Sequence, residues 1–538
     1  MNKLERFIFL ILIAIAFFFT GKYFIWWIEP THIPHNVINA DNNINNILNI
    51  ILFFLLTFVL FLNTILKIAN WKILQKMSSP KWLRPELNKK VAFLTCFVPG
   101  DEPIEMLKKT LIAIKEVRYP HDTWVLDEGN TPEVKELCEE LGVFHFSRKG
   151  KRRYNLQQGK FKRKTKGGNL NAWRDNFEKN YDFVAQVDMD HLPEKNFFRK
   201  TLGHFRNPQV GFVGMPQIYK NQTNWISKGA AEQSYFFYGP LMKGLNGYGM
   251  PFLIGTSHVY RVKAMQDIDG YAGTIAEDHL TGMKFHSRGW KSVYVDEILA
   301  KGNGPLNWVD YFNQQMRWSY GLFEIFFKYS PKLLKTMHWK NKINYFLLQL
   351  FYLTGVATII GIILTILYLL LGINSTDMRV SDWINYFLPS FILGEIVTLY
   401  VHKFRIDNKN EPKYGLFGML LAQGANIIYA IAFMNFLLGR KLTYLVTKKS
   451  NHATKPEAVP LRTFSVHIIL SMITIIAILM SYKFHHDSLV LRFWGMQFVL
   501  LTTIIITSNY VYNIATQINQ FKATIKYFTL KPISLLRA

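Results

Sequence analysis

Phe183-Val184-Ala185-Gln186-Val187-Asp188-Met189-Asp190-His191 decides how this chain is read, because a short, mostly apolar run passes directly into two carboxylates and an imidazole. A mostly apolar run of this length predicts a strand covered on both faces. The Asp-x-Asp at its end sets two hard oxygen ligands where a strand stops, and oxygen ligands of this kind suit Mg2+ or Mn2+ holding a diphosphate. His191 adds a third side chain able to bind a metal. Asp-x-Asp is also common as a turn or helix cap, so its surroundings decide between the two readings.

Outward from this stretch, β-rich runs at 91–97, 123–126, 143–146, 210–214 and 292–295 alternate with helical segments. This pattern predicts a mostly parallel α/β sheet, whose ligands bind beyond the carboxyl ends of its strands. Thr131-Pro132-Glu133 opens one helix with a cap, a proline in the first turn and an acid near the positive dipole end.

Other candidates stand after predicted strands or at helix starts. Asp127 and Glu128 can accept hydrogen bonds from the donor edge of a base, or are ordinary acidic turn residues, and Glu102 lies on the exit loop of the first strand. Lys166-Gly167-Gly168-Asn169-Leu170-Asn171 opens a helix whose small residues let amides approach a phosphate while Lys166 supplies charge. Asp278, after Glu277, can take a proton from an attacking hydroxyl as general base. The competing role is a helix N-terminal acid. Arg317 can grip diphosphate oxygens and Trp318 can stack a sugar ring, with interfacial anchoring as the other reading of both.

The whole chain is larger than this one domain: 538 residues, 49% hydrophobic and 15% aromatic, accommodate a globular unit plus several membrane spans. Stretches 7–28, 44–69, 349–372, 383–402, 463–482 and 491–513 are long and apolar enough to span. Residues 415–438 are apolar too, but contain Gln423, Asn426 and Asn435 and lie between basic loops. Spanning there would put one basic loop outside, so the segment is read as an interfacial helix. Six spans then leave residues 70–348 and both termini in the cytosol of a multi-pass cell-membrane protein.

The division expected is two spans in 1–70, a catalytic domain in 71–303, interfacial helices in 304–348, spans in 349–402, an interfacial helix and loop in 403–462, spans in 463–513 and a tail in 514–538. Glu395, inside a predicted span, faces either the bundle interior or a structural partner. Cys96 and Cys138 have no metal or disulfide spacing and read as reduced thiols.

Lys and Arg outnumber Asp and Glu 63 to 37, a formal charge of +26. The densest run, residues 148–166, holds ten Lys or Arg and no acid. It reads as a solvated loop, or as a contact for anionic lipid headgroups or an incoming nucleotide-sugar. Nucleic acid is not expected as a partner, since no recognition module accompanies it.

As a set, these motifs resemble the processive family 2 glycosyltransferases, and are most similar to the catalytic subunits of bacterial cellulose synthases, over about residues 91–455. The set comprises the loop at 99–103, Asp127-Glu128, residues 166–171, Asp188 to His191, Gly255-Thr256-Ser257, Glu277-Asp278 and Gln314-Gln315-Met316-Arg317-Trp318. Tyr444-Leu445-Val446-Thr447-Lys448-Lys449 is similar to the family's gating loop.

The resemblance implies a GT-A-like cytosolic domain inserted between transmembrane helices, a UDP-sugar donor, Mg2+ or Mn2+, inversion at the anomeric carbon and export of a β-linked polysaccharide such as a glucan. Carried over, Asp278 is the base and Asp188, Asp190 and His191 serve the metal. Glu102, Asp127, Glu128, Lys166, Asp188, Arg317, Thr447 and Lys449 serve the donor. Trp318, Glu277, Gly255, Thr256 and Ser257 serve the growing polymer, with membrane lipid and accessory export proteins as further partners. Glu128 where a second Asp is usual, Ala276 in place of Thr and a longer basic insert bear on the product more than on the reaction. A non-processive enzyme adding one sugar to a lipid is the alternative. Residues 514–538 leave no room for a cyclic di-GMP-binding domain, so regulation of that kind within the chain is not expected.

Overall fold

The computed structural model describes residues 1–30, 44–373, 375–376, 378–407, 411, 415–440, 442, 458–484, 486 and 488–530, with residues 44–46 and 511–530 as backbone. The strands are β1 (Val91–Phe97), β2 (Asp122–Asp127), β3 (Phe144–Phe146), β4 (Phe183–Asp188), β5 (Leu192–Pro193), β6 (Val210–Gly214), β7 (Ile218–Tyr219), β8 (His258–Arg261), β9 (Lys291–Tyr294) and β10 (Ala300–Gly302). Seven of them form one sheet in the order β3-β2-β1-β4-β8-β6-β9, and β5, β10 and β7 form a small second sheet.

All neighbours in the large sheet are parallel except β8, which runs antiparallel between β4 and β6. The parallel runs read from the sequence are all present. β8 and the three short strands are additions, because two to four residues carry no period to detect.

Helices cover both faces of the large sheet, which is why its central strands are mostly apolar. One face buries Leu94, Trp124, Leu170 and Trp173, and the other buries Phe93, Val187, Phe197 and Phe198. Register places the acidic turns. Cys96 of β1 pairs with Asp188, and Phe97 pairs with Asp127. The two acids therefore leave the same sheet edge, one on each side of β1, roughly 10 Å apart by two strand spacings.

Among the described residues, seven helices are long and apolar enough to cross a membrane: Lys3–Trp27, Ile47–Leu74, Trp339–Leu371, Val380–Phe404, Leu416–Leu437, Leu461–Lys483 and Leu489–Tyr510. Six overlap the predicted spans. The seventh, Leu416–Leu437, is the segment read as interfacial, and it differs in its surroundings. Half of its apolar window is buried within the protein, against 17–33% for the others. It packs along the helices Trp225–Phe236 and Trp308–Glu324 as well as along Thr354–Leu371. Its amide at Gly418 donates to Glu232 at 2.8 Å, and its Tyr429 hydroxyl donates to Gln315 at 2.8 Å. This helix joins the α/β unit to the apolar bundle.

Candidate active site

At the carboxyl edge of the sheet lies a cleft of about 1660 Å³. Its floor is built where β4 ends. The Asp188 amide donates to Thr256 Oγ1 at 2.9 Å, while its carboxylate accepts from Lys166 Nζ, which also donates to the Gly255 carbonyl. Lys166 reaches this point because Thr165 caps the helix Lys166–Phe177, accepting from the Gly168 amide at 3.1 Å. Burial disfavours the ammonium, but the charge of Asp188 outweighs it and raises its pKa. It stays charged.

Two residues on, Asp190 accepts from the Asn303 amide at 3.0 Å and pairs with His191 Nδ1 at 3.1 Å. Ligand-capable atoms of Asp188, Asp190 and His191 all lie within 4.8 Å of one another. His191 Nε2 is buried without a hydrogen-bond partner among the described residues. Two carboxylates and an imidazole so arranged fit a divalent cation, which would share Asp188 with Lys166.

Across the cleft, the helix Glu277–Ser287 starts with its two acids. Gly255 matters here because a Cβ at that position would come within 3.1 Å of Asp278 Oδ2. Desolvation raises the pKa of Asp278, with the His279 amide at 2.7 Å pulling the other way. Desolvation, then the Asp278 charge, pushes Glu277 up to about 7. Burial likewise pushes His279 down to about 4, so the imidazole beside the acids is neutral near pH 7.

Trp318 and Arg317 stand on the helix Trp308–Glu324 and line the same cleft. That helix approaches so closely that a Cβ on Gly321 would lie 2.8 Å from the Ala276 side chain. The close contact brings the helix carrying the Arg-Trp pair against the start of the acid-bearing helix, and the small Ala276 permits it. Trp318 is 39% exposed. Its ring is available.

Of the predicted residues, Glu102, Glu128, Lys166, Asp188, Asp190, His191, Gly255, Thr256, Glu277, Asp278, Arg317 and Trp318 all line the cleft. Asp127 and Ser257 do not. Asp127 is fully buried and spent on its own turn, accepting from the Gly129 and Thr131 amides at 2.7 and 2.5 Å and from His145 at 3.2 Å. Burial opposes its charge, yet these bonds hold it below the usual carboxylate range. The sequence expectation that it meets the donor is therefore not supported by this geometry. Ser257 is likewise buried, at a positive φ of 55°, beneath the cleft floor.

Glu128 lines the cleft but is held by Arg148, whose Nη2 lies 2.6 Å from Oε1. Glu102 accepts from the Val98 amide at 2.8 Å, which closes the first exit loop. Thr447 and Lys449, with the rest of 444–449, lie outside the described residues.

Sequence reading missed Asn303, whose amide fixes Asp190, and Tyr219, Gln233, Tyr352 and Tyr429 deeper in the cleft. None sits in a motif. They come from five separate segments, so no local signal marks them.

Residues 183–397 match the family model described as glycosyl transferase family group 2. The chain is 25% identical over 347 residues to a cellulose synthase catalytic subunit of Pseudomonas fluorescens, covering 62% of this chain and 45% of that protein. It is 30% identical over 167 residues to a cellulose synthase catalytic subunit of Dictyostelium discoideum, covering 30% of this chain and 16% of that protein. The chain thus spans less than half the length of these relatives. A mannosyltransferase from Pyrobaculum calidifontis, solved with GDP-Man and Mn2+, superimposes with a TM-score of 0.46 at 13% identity over 72% of this chain and all of that one. Two carboxylates and an imidazole at the sheet edge, an acid pair and an Arg-Trp helix thus line one cleft, in a chain that is similar over residues 183–397 to glycosyl transferase family group 2 and, in sequence, to cellulose synthase catalytic subunits.

Proposed function

We propose that this protein is a processive, inverting sugar polymerase that draws on a UDP-sugar, extends a β-linked polysaccharide such as a glucan, and passes it through the membrane from a cytosolic catalytic face. One observation carries the reading: a single cleft connects Asp188, Asp190 and His191 to Asp278 and Trp318, then continues past Gln233 to Tyr352, Ala422, Tyr429 and Asn70 on the apolar helices. A donor site, a proton acceptor, a stacking face and a route toward the bundle are what stepwise extension with export requires. A single-sugar transferase needs no such route.

In this reading Asp188, Asp190 and His191 hold Mg2+ or Mn2+, which when bound offsets charge on the diphosphate. Lys166 and Arg317 neutralise the same group as the sugar departs. Trp318 orients the acceptor ring, and Asp278 takes the proton from the acceptor hydroxyl as it attacks the anomeric carbon from the opposite face. Burial helps the proton acceptor, since a carboxylate with a raised pKa is a stronger base. Glu277 and the Gly255-Thr256 backbone position it. Lipid surrounds the apolar helices, and accessory export proteins would act beyond them.

Membrane vesicles given a panel of UDP-sugars with Mg2+ or Mn2+ test this directly. Release of UDP together with a growing polymer is expected. Products limited to one added sugar would favour the lipid-acceptor alternative, and no sugar incorporation from any donor would end the proposal.

A further inference from the structure

The basic stretch after β3 is a built part of the cleft's rim. Arg148, fully buried, donates to the carbonyls of Tyr154, Lys162 and Thr165 at 3.0–3.1 Å while gripping Glu128. Asn155 Nδ2 returns to the Arg148 carbonyl at 2.8 Å, and Asn171 Nδ2 holds the Lys160 carbonyl at 2.8 Å. The chain folds back on itself through Arg163 N to Leu156 O at 2.8 Å, and Gly273 packs so tightly on Gly159 that a Cβ there would lie 2.3 Å from its carbonyl. A loop held at this many points presents its charges in fixed places.

Those charges are largely uncompensated. Arg153 pairs with Asp175 and Lys160 with Asp269, both at 2.6 Å. Lys149, Lys151, Arg152, Arg163 and Lys164 are exposed and have no carboxylate partner among the described residues. Both ends of the loop meet the cleft: Lys149 Nζ donates to the carbonyl of cleft-lining Gly129 at 2.7 Å, and Lys164 lines the cleft two residues before Lys166.

We infer that residues 149–164 form a fixed cationic collar that captures nucleoside diphosphate anions at the rim and feeds them to Lys166. The inference rests on the sugar-nucleotide reading above. Clustered like charge beside a cleft raises the encounter rate of an oppositely charged ligand by about 10-fold or more, and salt screens the effect. The collar acts on arrival. It makes no contact with the reacting atoms.

The test uses the full chain in phosphatidylcholine nanodiscs, with Lys151→Glu, Arg152→Glu and Arg163→Glu combined, and the matching Gln set as a second variant. Stopped-flow association of a fluorescent uridine diphosphate is followed at low and at physiological ionic strength. Wild-type association should slow steeply with salt, while the Glu variant should associate on the order of 10-fold more slowly at low salt and respond little to salt. Donor KM should rise similarly with kcat unchanged, and the Gln set should fall between. An unchanged association rate and salt response would overturn the inference. So would a defect seen only when phosphatidylglycerol is present, which would make the loop a lipid contact. Wild-type protein that binds no uridine diphosphate would sink the sugar-nucleotide reading and the collar with it.

Discussion

Two acidic turns leave the same sheet edge on either side of β1, and they have opposite fates. Asp127 and Glu128, after β2, are consumed by their surroundings: the first by its turn and His145, the second by buried Arg148. Asp188 and Asp190, after β4, are held at their backbones and by Lys166 and Asn303, yet come together with His191 as a set able to hold a metal. What a carboxylate at a strand end can do depends on the partners its surroundings give it. The strand position is common to both turns, and the partners make the difference.

Substitutions can break this contrast. The largest effect is expected across the cleft from the open turn, where Asp278→Asn should lower sugar transfer by roughly 10²–10⁴-fold while leaving uridine diphosphate binding intact, measured by initial rates beside equilibrium binding. Lost binding would mean that Asp278 is structural. Asp190→Asn should raise the Mn2+ concentration needed for half-maximal rate by at least about 10–100-fold, the cost of losing even an outer partner of a metal site. The matched change Asp127→Asn should leave that requirement where it was. Equal metal responses would erase the distinction between the turns.

The closed turn should show itself in stability. Glu128→Gln strips a buried guanidinium of its charge partner and should cost about 3 kcal/mol, read by denaturant unfolding and by earlier proteolysis within 149–164. Asp127→Asn should cost less, about 1–2 kcal/mol, because the hydrogen bonds to the Thr131 and Gly129 amides weaken without leaving a charge stranded.

A smaller effect concerns pH. Glu277 is lifted by desolvation and then by Asp278, from the ordinary carboxylate value of 4.5 to about 7. The folded state therefore holds its proton where the unfolded chain has lost it, so its contribution is present below about pH 4.5 and lost as pH rises through about 7. Wild-type stability should decline across that window, and Glu277→Gln should flatten the decline, as followed by thermal unfolding at several pH values. A steeper decline in the variant would assign the shift elsewhere.

Much of the scaffold was legible because parallel strands covered on both faces must be written as short apolar runs, and each such run was found. The helix start at Lys166 and the acid pair at Glu277 were equally visible, since small residues and N-terminal acids are local signals. The role of Asp127 was not, because it turns on His145, eighteen positions away. Nor was the built nature of the basic loop, since nothing in a run of cations reveals that its first member, Arg148, is buried. The helix Leu416–Leu437 was ambiguous for the same kind of reason: its composition suits a bilayer and its polar side chains suit a protein surface, and only its neighbours separate the two.

Sequence by itself determined the α/β class, the apolar helices and the inventory of carboxylates, because periodicity and composition are properties of neighbouring residues. Tertiary structure alone decided which carboxylates come together as a set able to hold a metal, and that Trp318 and Asp278 line one cleft, on helices brought close where Gly321 meets Ala276, far apart in the chain. Availability depends on who sits across the gap, and folding alone decides that.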